Sequence, residues 1–487
     1  MPSGRRPRTQ RPPVVPYAQR ARSFSGMFAL HFVLAAAAAF GATAFPSAAW
    51  AYVALALFGS MSFGLLRTSP ATFLLFVPLL ALRITEFMSG AAIESGAYMI
   101  ETAVVGRPTG AFTRLLLIYL LFFLTATFVI EAMWPRLKLM FREAPERWAP
   151  HARIIWLGLL IVMLLATAYL MRLGINNGFP LFSSTDRFAY LEKIDSPIYS
   201  AWITNRLILV PFIGVLFATP GYRLRGGVLL LWLLATSMLF GEKFTSLLMI
   251  LSFFAIPAGL VHIANDRPIP TGIIGGIALA VVTITVPAVL IAYGALNDFD
   301  AAAQRYGQRV ALQGQLWFVT DDKYLAVARL DDRAIAADTA SWVKPGEQNA
   351  IAAGTRFGLY YVMQRFTPSR TLGWTMEMGN GFVFSLYPYF LLTMGLVGLL
   401  FMSSLIGIFH AWVMRMLAQT LAEGNWIASI LFGRVISSFY AGYSTGFMWN
   451  FFGVKTIATI LIAVFLVWEG RQRDSRVRRL VDTMARR

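Results

Sequence analysis

"LLLIYLLFFLTATFVI", residues 115–130, is sixteen residues long and carries no charge. Hydrocarbon offers the peptide backbone no hydrogen-bond partner, so an apolar run of ~18 residues or more reads as a helix that satisfies its own N–H and C=O groups. The stretch lies in one such run, roughly 113–134. Working outward, the same test yields about twelve: roughly 27–45, 49–66, 70–88, 113–134, 154–171, 201–219, 226–241, 244–264, 272–296, 383–412, 426–446 and 453–468. The sequence is 57% apolar and 14% charged, where soluble domains are about a quarter charged. The expected fold is an all-α polytopic membrane protein of about twelve transmembrane helices.

The net charge of +18 raises the question of a nucleic-acid partner, and its distribution answers against one. With the N-terminus inside, Arg67, the segment "PRLKLMFREAPERWAPHAR" (135–153), Arg223, Arg225, Arg267, Arg415 and the tail "RQRDSRVRRLVDTMARR" (471–487) share one side. This is the positive-inside pattern, with both termini cytosolic. The excess charge then reports orientation and attraction to anionic headgroups. The first run follows Arg5, Arg6, Arg8, Arg11, Arg20 and Arg22; it is long for a cleaved signal and reads as a retained helix. Cysteine is absent from the sequence, which excludes disulfides, thiolate nucleophiles and zinc–cysteine sites.

The organisation that follows is a basic disordered tail (1–26), helices one to nine (27–296) with an outer loop at 172–200, a large outer loop (297–382), helices ten to twelve (383–468) and a basic tail (469–487). Most connections run about 2–8 residues, so the two outer loops are more than connectors. The larger balances nine Lys/Arg against nine Asp/Glu. Within it, Arg305, Arg309, Gln313 and Trp317 recur at steps of four, which lines one helical face. A second helical stretch, "EQNAIAAGTRFGLYYVMQRF", carries Arg356 and Arg365 around Tyr360 and Tyr361. Amphipathic helices at the headgroup boundary, anchored by Trp and Tyr, would produce the same rows.

Arginines gathered beside a membrane suit a phosphate or pyrophosphate ligand, because guanidinium makes paired charge-assisted bonds to oxyanions. Arg187, Arg305, Arg309, Arg365 and Arg370 are the outer candidates. The four histidines, His31, His151, His262 and His410, all map to inner loops or inner helix ends. A proton acceptor on the outer side must therefore be a carboxylate such as Asp186, Glu242 or Glu377. Glu242 and Lys243 share a tight hairpin, "LFGEKFTSL", as an interfacial ion pair or a tuned carboxylate. Arg83 and Glu86 stand one turn apart inside helix three, and Arg434 lies near the middle of helix eleven. Charges inside the membrane face a partner or a cavity. "NDFD" (297–300) offers Asp298 and Asp300 to a divalent ion, but a hard cation needs several more oxygens.

Four pieces carry a family resemblance: "NGFPLFSSTDR" (177–187), "GEKF" (241–244), "RVALQGQLW" (309–317) and "GNGFVFSLYPYFLLTMGLVGLL" (379–400). With the helix count, they make the chain resemble Wzy-type O-antigen, or oligosaccharide repeat unit, polymerases. The resemblance implies a GT-C-like membrane glycosyltransferase of the bacterial inner membrane, acting on undecaprenyl-pyrophosphate-linked oligosaccharides at the periplasmic face. No cofactor and no metal are expected, since fixed cations can meet the charge on the leaving oxygen without one, and a polysaccharide chain-length regulator is admitted as a partner. The family's spacing of Arg, ten residues, then Gly is met by Arg370 and Gly381; from Arg187 the same interval reaches Ile198 instead. The implied roles are Arg309, Arg365 and Arg370 on the pyrophosphate, with Arg187 on sugar oxygens, Trp317 on a sugar face, and Glu242 or Glu377 as proton acceptor. Asp186, Lys243, Arg305, Gln313, Arg83 and Arg434 complete the expected substrate-binding set. An O-antigen ligase shares the lipid donor but relies on an outer-loop histidine; a flippase or transporter is expected to show repeated halves, and none is evident here.

Overall fold

The computed structural model describes residues 17–181, 196–242, 244–267, 298–377 and 384–485, together with a few isolated positions between them. The protein is an all-α polytopic membrane protein, and among the described residues eight helical stretches are long and apolar enough to cross a bilayer. The first three helices are α1 (Tyr17–Ala44), α2 (Ala49–Thr68) and α3 (Pro70–Glu94). A two-stranded ribbon of β1 (Tyr98–Met99) and β2 (Val104–Val105) follows, then α4 (Ala111–Asn177). Next come α5 (Pro197–Ala218), α6 (Arg223–Leu239) and α7 (Phe244–Ala264).

Helix α4 unites two of the expected spans, 113–134 and 154–171, in one 67-residue element that includes the connector between them. A straight helix of that length would reach ~100 Å, and the contacts show that it turns back. Its first limb meets Ser403 and Ser404 through Ile118 and Thr125, and Trp148 then donates to the Leu421 carbonyl at 2.8 Å. Its second limb starts with His151 beside Trp426 and passes Arg434 at Val162–Ala166. The helices bearing 403–421 and 426–434 form an antiparallel hairpin through Gly424, so the two limbs of α4 are antiparallel as well. Pro135, Pro145 and Pro150 sit in the stretch that turns, where a missing N–H favours a bend. Arg142 and Lys138 bind Asp266 there, which ties the turn to the end of α7.

Residues 298–377 fold as a helical cap on the opposite end: α8 (Phe299–Ala311), α9 (Gln315–Tyr324), α10 (Asp332–Trp342), α11 (Ala350–Ala353), α12 (Gly358–Met363) and α13 (Ser369–Glu377). Asp298 accepts from the Ala301 N–H at 3.0 Å, so the "NDFD" motif is an N-cap that starts α8. The expected row Arg305–Arg309–Gln313–Trp317 does not share one helix, because the chain breaks at 312–314 between α8 and α9. Gly314 supplies the reason: its Cα packs against the Phe112 ring and its N–H bonds Ser89 Oγ at 2.8 Å, which leaves no room for a side chain. The second expected helix likewise breaks at Gly354, whose φ is +53°, into α11 and α12. Tyr360 and Tyr361 are buried core residues there, and not interface anchors.

The remaining helices are α14 (Leu386–Glu423), α15 (Trp426–Thr445), α16 (Trp449–Phe452) and α17 (Val454–Ala485). Helix runs further than expected at both ends: residues 17–26 belong to α1, and 469–485 continue α17. The expected span at 272–296 lies largely outside the described residues, and α6, at 17 residues, and α15 are not among the eight.

Helix α14 holds the least regular backbone. Phe384 packs on Arg83, about sixteen ångströms in from the end of α3 by helical rise. Thr393 accepts from the Asp331 N–H in the cap at 2.8 Å, and Ser403 then reaches Ile118 inside the bundle. The chain therefore dips into the bundle, climbs to the cap and descends again, with Gly395 at the crest (φ 66°, ψ −175°). That conformation is almost confined to glycine and costs other residues about 1–3 kcal/mol. A Cβ at this point would also stand 3.2 Å from the Ala328 carbonyl. Gly395→Ala is expected to destabilise the protein by about 1–3 kcal/mol, seen as a lower unfolding temperature in detergent, whereas Gly158→Ala, in open space on α4, leaves it unchanged or slightly raised.

Candidate functional site

The cap carries a cavity of about 490 Å³ lined by Arg329, Arg333, Arg365, Asp331, Asp332 and Tyr361, with Leu392 of α14 at its base. Asp331 organises it. One carboxylate oxygen caps α10 by accepting from the Ala334 N–H at 3.1 Å; the other accepts from the Tyr361 phenol at 2.5 Å. The phenol's bond holds the Asp331 carboxyl below the usual range, so it is an anion at neutral pH. Arg365 lies 4.0 Å from that carboxylate, with its guanidinium 3.8 Å over the Tyr361 ring and a 2.6 Å bond to the Tyr361 carbonyl. Sequence reasoning singled out Arg365 and missed Arg329, Arg333 and Asp331, which only the fold of the cap brings beside it. Three guanidinium groups around one cavity, beside carboxylates and a phenol, suit a polar ligand that bears an oxyanion.

Two more carboxyls sit where the cap meets the bundle. Asp338 on α10 is buried and accepts from Tyr389 at 2.8 Å and from Trp342 at 3.2 Å; burial pushes its carboxyl up to about 7. Glu101, in the turn between β1 and β2, accepts from Gln315 and faces Arg309, and burial raises it to about 7 as well. Neither was read from the sequence, where an isolated Asp or Glu in a loop carries no signal of its burial.

Beneath the cap, Arg83 and Glu86 form a pair at 3.0 Å, each about 1% exposed. Tyr119 donates to Glu86 at 2.6 Å. The Arg83 guanidinium lies 4.3 Å from the Phe384 ring and 5.2 Å from those of Tyr119 and Tyr443. His410 belongs to this layer, bonded to the Tyr443 phenol at 2.8 Å, and not to an inner helix end: α14 runs on to Glu423, eleven residues past the expected end of its span. Ion pairing, the Tyr119 phenol and four rings, Tyr387 being the fourth, hold this cluster and fix α3, α4, α14 and α15 to one another, while Arg83 Nε and His410 Nε2 stay buried without a hydrogen bond.

The other expected site residues scatter. Glu242 is buried and paired at 2.5 Å with Arg206 of α5, a charge inside an apolar run that the sequence analysis does not single out. Trp317 is buried and donates to the Ala111 carbonyl at 2.8 Å, so its ring pins α9 to α4 and is closed to a sugar. Arg305 and Arg309 are exposed on α8, Gln313 is half-buried after it, and Arg370 and Glu377 are exposed on α13. The described contacts place Arg309 against Glu101 and Arg365 against Asp331, on different parts of the cap. Asp186, Arg187, Lys243 and Gly381 lie outside the described residues. Arg434 is exposed near the middle of α15 and lines two cavities.

A family model described as a family of unknown function (DUF6418) matches residues 352–460, from the end of α11 through the folded-back α14 and α15 to the first turns of α17. No curated protein and no solved structure matches the chain.

Two outcomes follow from this geometry. Arg83→Met leaves Glu86 buried without its partner and is expected to destabilise by about 3–5 kcal/mol, while the double change Arg83→Met with Glu86→Met recovers most of that loss; thermal unfolding of the three variants in detergent checks it. Because the folded-state value of Asp338 is raised, its contribution is fully present below the unfolded pKa of ~4 and is lost as pH rises through about 7. Asp338→Asn is therefore expected to show a smaller drop in unfolding temperature between pH 4.5 and 8 than the wild type.

Proposed function

We propose that the protein is a membrane glycosyltransferase of the oligosaccharide repeat unit polymerase kind. In this reading it sits in the bacterial inner membrane with twelve crossings, both termini in the cytosol and the cap in the periplasm. It joins repeat units carried on undecaprenyl pyrophosphate into an O-antigen-type polysaccharide. The observation that carries the reading is the cap cavity, where Arg329, Arg333 and Arg365 surround a space next to Asp331 and Asp332.

In that reaction an acceptor hydroxyl attacks the anomeric carbon of the donor. A new C–O bond forms as the bond to the pyrophosphate oxygen breaks, and the pyrophosphate lipid leaves with the bonding electrons. Fixed cations aimed at the leaving oxygen lower the barrier, because they meet the developing charge without reorganising. Arg365 is the best fixed of the three, held by a ring, a carbonyl and a carboxylate. Asp331 is committed to Tyr361 and to the α10 N-terminus, so Asp332, exposed at the rim, takes the hydroxyl proton. Glu242, spent on Arg206, is unsuited to that role. Charge balance in the cap adds to this reading: net-neutral loops neither repel an anionic lipid nor hold its product.

Arg365→Gln is expected to lower polymerisation by about 10²–10³-fold, the usual effect of removing one contact to a developing oxyanion. Complementation of a deletion strain, followed by a gel of surface glycan, reads it as single repeat units in place of a ladder. A full ladder from that variant would sink the assignment.

A further inference from the structure

Among the described residues, Arg434 is a charge that the sequence places mid-helix and the structure leaves exposed, facing open space. It is exposed, nine residues from the N-cap of α15, and no carboxylate lies among the residues lining either cavity it borders. Two buried arginines of the bundle have their acids: Arg83 has Glu86 and Arg206 has Glu242. A cation within a membrane calls for a counter-charge or a route to water.

The cavities on its two sides differ in chemistry. On one side a groove of about 700 Å³ runs between the second limb of α4, α5 and α15, walled mostly by apolar side chains such as Leu165, Ala166, Ile198 and Leu209, with Asn205 and the Glu242-paired Arg206 on its α5 side. On the other side a chamber of about 450 Å³ lies under the cap between α15, α16 and α17, and offers Gln348, Ser438, Asn450, Lys455 and Thr456. Lys455 reaches the Pro345 carbonyl of the cap at 3.3 Å, which sets a second cation at the chamber's rim. Arg434 belongs to both linings, so it marks the point where an apolar surface gives way to a polar one. Apolar groove, cation and polar chamber in series match one molecule with a tail, an anion and a hydrogen-bonding head. A free phosphate would leave the groove unused, and a small headgroup would leave the chamber unused.

We propose that this junction binds a lipid phosphate bearing a polar head: the tail lies in the groove, the phosphate meets Arg434, and the head occupies the chamber among the amides, the hydroxyls and Lys455. In taking that lipid to be a polyprenyl carrier and the head to be a glycan, the proposal rests on the function proposed above; the site itself stands on the groove and the charge. Removal of the guanidinium costs the phosphate its charge-assisted bonds, whereas filling the groove removes apolar contact and leaves the charge in place.

The test is binding of decaprenyl phosphate to the purified full-length protein in detergent, with dioleoylphosphatidylglycerol and inorganic phosphate as competitors. Saturable binding is expected, weakened at least tenfold by Arg434→Gln and by Ala166→Trp, and unchanged by Arg153→Gln, an exposed cation elsewhere on α4. Arg434→Lys retains the charge and is expected to keep most of the binding, which covers the case of a poorly folded glutamine variant. Binding equal to wild type in Arg434→Gln or Ala166→Trp, loss of binding in Arg153→Gln, or displacement at parity by phosphatidylglycerol or inorganic phosphate overturns the proposal. The assay needs no glycan transfer. A normal ladder from Arg365→Gln counts against the polymerase assignment alone, and undiminished binding by Arg434→Gln counts against this site alone.

Discussion

A guanidinium group in hydrocarbon has few tolerable surroundings, and the placement of Arg83 constrains much of what surrounds it. An isolated charge at that depth costs several kcal/mol, roughly 2.5–3.5 on insertion scales and more in simulations. The chain answers with Glu86 one turn away, the Tyr119 phenol on Glu86, and rings from three further segments. Each of those rings fixes the segment that carries it. Phe384 can reach Arg83 only because the chain dips below the cap before α14 climbs, so the fold of α14 and the ion pair are two sides of one arrangement.

From that layer upward, polar contacts link the bundle to the cap. Tyr387 faces the ion pair, while Tyr389, two residues on, donates to Asp338 in the cap. Asp331 binds the crest of α14 through its backbone and Tyr361 through its side chain. The cavity bordered by Arg365 is thus held by the same elements that close over Arg83. A perturbation at either level reaches the other through a helix of nine residues, which is rigid over that length.

The apolar runs that make this an all-α membrane protein were legible, because a period-free stretch without charge has one structural solution in lipid. Arg83 and Glu86 were legible too, since a spacing of three is a contact on a helix. What stayed hidden depends on tertiary contact. The step-four row ending at Trp317 has the right period for a helix face, yet Gly314 breaks it because Phe112 occupies the space a side chain would need. The connector 135–153 read as a loop from its charge, while its residues propagate helix through three prolines. Glu101 and Asp338 gain raised carboxyl pKa values from burial, which no local pattern records. Arg206 is the exception: a charge inside the apolar run 201–219 is visible in one dimension.

The bend of α4 has one more consequence. Each of Pro135, Pro145 and Pro150 lacks the N–H that would bind the carbonyl four residues earlier, so the oxygens of Glu131, Phe141 and Glu146 lose their usual partner within the coil. Oxygens in that condition are tolerated only beside water or another donor, and they stand here among Lys138, Arg142 and Arg147. The proline series therefore makes the bend a polar point of the chain, where a side-chain donor or solvent has to reach the backbone of an otherwise apolar element.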